Sequence, residues 1–90
     1  MAEMYQVNLK VVSQKGECAA GHKVGDEYEC MGMTPGGICL SAFDALTPTL
    51  WALMFGGEFP WSQDKDVTQI ACPDAENPVV FELRRIRPQA

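Results

Sequence analysis

Between Gly36 and Trp61 the chain reads GGICLSAFDALTPTLWALMFGGEFPW, the one stretch whose apolar residues fall at helical spacing, and a Gly-Gly pair marks each end. Both tryptophans lie in it. Leu50, Leu53 and Met54 recur at the spacing of one helix face, and Trp51 and Phe55 widen that face. A run this apolar is expected to be largely buried, and it is too short to cross a bilayer, which takes about 20 apolar residues. Two start signals compete. Ser41 with Asp44 three positions on resembles a capping box, and Thr47-Pro48 puts a cap-forming residue before a proline suited to the first helical position. Either a short turn from Ser41 to Leu46 leads into a helix from Pro48, or one helix kinks there. Gly56 or Gly57 can take the left-handed conformation that ends it.

The flanks read as strand and turn. Tyr5, Val7, Leu9 and Val11 alternate with Gln6, Asn8 and Lys10, the period of a strand with one buried face. Ser13 to Gly21 then reads as turn, with Gln14-Lys15-Gly16 polar. Tyr28 and Cys30 then share one face of a short strand whose other face carries Glu27 and Glu29. Past the helix, Phe59 and Trp61 in the breaker-rich GGEFPW segment are expected to fold back over its end as an aromatic clamp. Val67 to Cys72 suits a strand, Pro73 to Pro78 a turn, and Val79, Phe81 and Leu83 a last alternating strand. The expected fold class is α+β: one domain over residues 1–90, with a small, curved, mostly antiparallel sheet in β-β-α-β-β order packed on a central helix.

Charge narrows the function classes. At a net charge of −5 the chain is a poor match for nucleic acid, whose binding depends on Lys and Arg meeting phosphate. Arg84, Arg85 and Arg87 crowd together and read as a solvated strand end rather than an anion site. Residues 1–5, MAEMY, lack the basic and apolar regions of a secretory signal, so a cytoplasmic location is expected. There thiols stay reduced, and four cysteines are not read as a disulfide framework.

Those cysteines are the candidate chemistry. Cys18 and His22, at C-x3-H spacing, can reach one metal ion from a short loop, and Cys39 and Cys72 beside turns can complete a zinc or iron site. The C-x2-C pair that marks most structural zinc sites is absent. Packing in core or turn competes for every cysteine, most of all for Cys30, which shares a face with Tyr28. His22 between Gly21 and Lys23 reads more readily as a surface or turn-bonding residue than as a ligand. Without metal, a thiol role remains: Cys39 stands just before the helix start, where amides and the positive dipole end favour a thiolate. Phosphate-loop and nucleophile-elbow templates fail, and the many carboxylates read as solvated surface.

Three blocks, CAAGHKVGDEYEC, GGEFPW and CPDAENPVVFELRRI, together resemble a family of small uncharacterised bacterial and archaeal proteins of similar length, over nearly the whole chain. In that pattern Cys18 precedes Gly-His, Cys39 precedes the helix and Cys72 precedes Pro-Asp. Leu40 follows Cys39 where the family has proline. The resemblance implies a prokaryotic protein and no particular activity or catalytic residue.

Two functional expectations follow. One is a thiol site of Cys18, Cys39 and Cys72, with or without His22, which binds a metal or undergoes redox chemistry. The other is an interaction module without chemistry, in which Trp51, Phe59 and Trp61 or an unpaired sheet edge pack against another copy of the chain or a partner. Neither nucleic acid nor membrane is an expected partner.

Overall fold

The computed structural model describes residues 4–87. In chain order it contains β1 (Gln6–Gln14), β2 (Glu27–Cys30), α1 (Leu40–Met54), β3 (Val67–Ala71) and β4 (Val79–Ile86). The strands form one antiparallel sheet in the order β2-β1-β4-β3, so the α+β fold with β-β-α-β-β succession is as expected. Residues 1–3 of the MAEMY segment lie outside the described residues. No described helix is long and apolar enough to cross a membrane.

Strand alternation decides which sheet face is covered. Val7, Leu9 and Val11 on β1 and Val79, Phe81 and Leu83 on β4 are fully buried, and register sets Leu9 opposite Leu83 and Val11 opposite Phe81. Helix α1 covers this face with Ala42, Leu46, Leu50, Leu53 and Met54. Each fully buried leucine contributes about 1.5–3 kcal/mol relative to exposure. The opposite face carries Lys10, Glu29, Glu82 and Arg84, as an antiparallel sheet open to water on one side does. A bulge between Val11 and Ser13 lets β1 run on to Gln14, beyond the point where its alternation stops.

The helix start differs from both expected signals. Cys39 occupies the N-cap without any side-chain capping bond, Ser41 lies inside the first turn, and no acidic residue occupies that turn. The helix continues through Pro48. A proline there removes the donor for the Asp44 carbonyl; both residues are exposed, so water can take its place. Thr47 adds a bond of its own, Oγ1 donating to the Phe43 carbonyl at 2.7 Å. Burial of the apolar run is also incomplete. Trp51 is 53% and Phe55 50% exposed, stacked on each other along the outer side of α1.

The far end of α1 follows the glycine signal. Gly56 takes a φ of 89°, its N–H donates to the Leu53 carbonyl, and Gly57 N–H donates to that of Ala52 at 2.7 Å, the pair of bonds that closes a Schellman motif. Of the expected aromatic clamp only half forms. Phe59 packs against the core and stacks on Trp61 at 5.0 Å, while Trp61 is 73% exposed.

Arg85 corrects the reading of the arginine cluster. As the next inward position after Leu83 it is 2% exposed, and its guanidinium donates to Asp66 Oδ1 and to the carbonyls of Leu53, Gly57 and Lys65 at 2.9–3.1 Å. Asp66 also receives Arg87 Nε on both oxygens. The Arg87 guanidinium holds the Asp66 carboxyl below the ordinary value of 3.8; burial opposes this and Arg85 adds to it. Thus one buried charge ties the helix end, the 57–66 connection and β4 together.

Candidate functional site

At the other end of α1 lies a cleft of about 340 Å3. Three cysteines line it, Cys18, Cys39 and Cys72, with Ser41, Asp74 and Asn77 among its polar residues. Each thiol arrives on a different element. Cys18 belongs to the loop after β1, Cys39 is the N-cap of α1, and Cys72 follows β3 directly. All three are half-buried and none is in a disulfide.

Local bonds fix each delivery. The Cys18 carbonyl accepts the Gly21 N–H at 2.9 Å, closing a tight turn that the φ of 80° at Gly21 allows. Cys72 is tied to Val79 twice, by its own N–H donating to the Val79 carbonyl and by the Val79 N–H donating to Cys72 Sγ at 3.3 Å. Asn77 joins the two loops. Its Oδ1 accepts the Glu17 N–H at 2.9 Å, while Asp74 Oδ1 accepts the amides of Glu76 and Asn77 in the turn below. Gly16 has a φ of 68° and faces Asn77 so closely that a Cβ there would collide with the Asn77 side chain.

Of the two roles expected for His22, surface or backbone-bonding, the first does not hold and the second does. It is 5% exposed, its ring packed edge-on against Phe81 and Tyr28. Nε2 accepts the Cys39 N–H at 2.9 Å, which places the ring proton on Nδ1. Nδ1–H therefore donates to Tyr28 Oη at 3.0 Å, and that hydroxyl is left to donate to the Gly37 carbonyl at 3.4 Å. Burial raises the pKa of the Tyr28 phenol, and Asp26 and then Cys18 push it further up. With both ring nitrogens engaged, His22 has no lone pair free for a metal.

The ligand set Cys18, His22, Cys39 and Cys72 therefore does not assemble. Among the described residues no group of three or more His, Cys, Asp or Glu side chains is arranged to hold a metal ion. For His22 the physical reason is that the imidazole accepts a backbone N–H with one nitrogen and holds Tyr28 with the other. Cys30 stands apart as the core residue its alternation indicated, 4% exposed, its thiol donating to the Met33 carbonyl at 3.5 Å. Burial pushes this thiol's pKa up, against a backbone hydrogen bond at Gly32.

The proposed interaction residues occupy other ground. Trp51 borders a smaller groove of about 130 Å3, with Met33, Phe43 and Leu50 in its walls. Trp61 caps Phe59 beyond the helix end. Sequence reading missed the roles of Tyr28, Asn77 and Arg85; for Arg85 the signal was present, since it continues the inward alternation of 79, 81 and 83. Comparison with protein-family models, curated proteins and solved structures gives no match.

Proposed function

We propose that the cleft at the start of α1 is a thiol redox site that exchanges two of its three cysteines between dithiol and disulfide forms. The observation that carries this reading is that three half-buried cysteines outside any disulfide, from three separate elements, line one cleft. All three also pack against the core, but unlike Cys30, which is buried within it, each keeps part of its surface exposed on the cleft. The occupied nitrogens of His22 favour the redox reading over the zinc or iron one. A reducing, cytoplasmic setting suits it, because there the resting state is the dithiol.

The test is incubation of the full chain with oxidised glutathione, followed by alkylation and peptide mapping. The expected product has lost two hydrogens and carries one disulfide within Cys18, Cys39 and Cys72, with Cys30 still reduced. Four free thiols, or glutathione adducts that never resolve to an internal bond, overturn the reading.

A second reading has its own observation. Trp51 and Trp61 are both more than half exposed, and each belongs to a stacked aromatic pair, so an interaction module that includes Phe59 and forms a homo-oligomer is the alternative. Native mass spectrometry tests it: a single-chain mass at all accessible concentrations removes the homo-oligomer.

A further inference from the structure

Resting on the thiol redox reading, we infer that Cys18 and Cys39 are the exchanging pair and that His22 is the positioning residue that sets their relation. One continuous connection links the two cysteines. The Cys18–Gly21 turn is closed by a backbone bond, His22 follows Gly21 directly, and His22 Nε2 receives the Cys39 amide. This strut is braced from behind by Tyr28 and Phe81. Cys72 stands outside it, its backbone and sulfur both bonded to Val79 across the β3–β4 turn.

The bond geometry also distinguishes the two members of the pair. With the Cys39 amide held by His22 and no side chain capping α1, the helix's first-turn N–H groups have no side-chain acceptor among the described residues. Cys39 stands at that helix start with its side chain outside any capping bond, whereas Cys18 lies within the closed turn. Cys39 attacks first. Its thiolate displaces one glutathione thiolate from oxidised glutathione, forming a mixed disulfide. The Cys18 thiolate then attacks Cys39 Sγ and releases the second. The two cysteines lose two electrons and two protons, and the disulfide oxidant becomes two thiols. The substrate class is a small disulfide or an exposed disulfide of another protein, reduced at the expense of the pair.

The strut acts through Nε2, and this makes it separable from simple packing. Glutamine can set an acceptor where Nε2 stands, whereas asparagine reaches only as far as Nδ1, on the Tyr28 side. In a Cys72→Ser background, the Cys18–Cys39 equilibrium with glutathione is measured for His22, His22→Gln, His22→Asn and His22→Ala. The expected result is a disulfide weakened about tenfold, or about 30 mV, in Asn and Ala and restored toward wild type in Gln. Equal constants in all four overturn the strut while leaving the thiol site standing. Absence of any internal disulfide in the wild-type chain overturns the site itself. Because a buried histidine can be needed for folding, the wild-type chain supplies an independent measurement. The reduced protein should show nitrogen–nitrogen coupling across the Cys39 N–H to His22 Nε2 hydrogen bond, and an uncoupled, rapidly exchanging Cys39 amide overturns the strut.

Discussion

The two ends of α1 are built in opposite ways. At its C-terminal end a Schellman turn and a buried arginine satisfy the last carbonyls, and Arg85 alone makes bonds to four partners there. At its N-terminal end there is no capping side chain, no acidic residue in the first turn, and one imidazole acceptor for the Cys39 amide. The charged lock closes one end of the helix, and the three cysteines of the cleft lie at the other. The lock and the proposed thiol chemistry thus lie at opposite ends of one 15-residue helix.

The sharpest way to break that contrast is Arg85→Met. It takes the buried donor from the Gly57 and Lys65 carbonyls, while Asp66 keeps Arg87 and the Leu53 carbonyl keeps the Gly56 N–H, and the loss expected is about 3–5 kcal/mol in urea unfolding. A loss under about 1 kcal/mol would show that the lock is decorative. Asp66→Asn should cost less, and its effect should depend on pH. Because the folded Asp66 carboxyl lies below its ordinary value of 3.8, its contribution is fully present above that value and disappears as pH falls through the folded one. Wild type and Asp66→Asn should therefore differ most near neutrality and converge in acid.

Asn77→Ala probes the other end. It severs the bond from Glu17 and should cost about 1 kcal/mol, with faster alkylation of Cys18 than of Cys39 by iodoacetamide. Equal acceleration at both thiols would mean that the cleft opens as a whole. The smallest effect is a gain. Serine is a preferred N-cap and Cys39 makes no capping bond, so Cys39→Ser should stabilise the chain by about 0.5–1 kcal/mol while abolishing the proposed exchange. A destabilised Cys39→Ser would argue that the thiol was kept for packing.

Much of the fold was legible because alternation and glycine signals are local. Val7, Leu9 and Val11, Val79, Phe81 and Leu83, and the Gly56 stop each follow from near neighbours in sequence. The helix start was not, since Ser41 and Thr47-Pro48 are good local caps that lose to a longer helix whose Ala42, Leu46 and Leu50 bury against the sheet. The cleft was half legible. Cysteines beside turns named its walls, but the partner of His22 is a backbone amide 17 positions away, and no residue pattern announces a backbone acceptor. Arg85 was hidden by its company, because Arg84 and Arg87 beside it are surface residues of the expected kind.

The exposure of both tryptophans, 53% for Trp51 and 73% for Trp61, determines what light can report about this molecule. With both indoles already facing water in the native state, their emission should lie toward the red before any denaturant is added and shift little on unfolding. Fluorescence is therefore a weak gauge of folding for this protein and a sensitive gauge of contact. Anything that settles on the outer side of α1 or on the Phe59–Trp61 stack should move the spectrum to the blue, while the backbone signal in the far ultraviolet stays where it was.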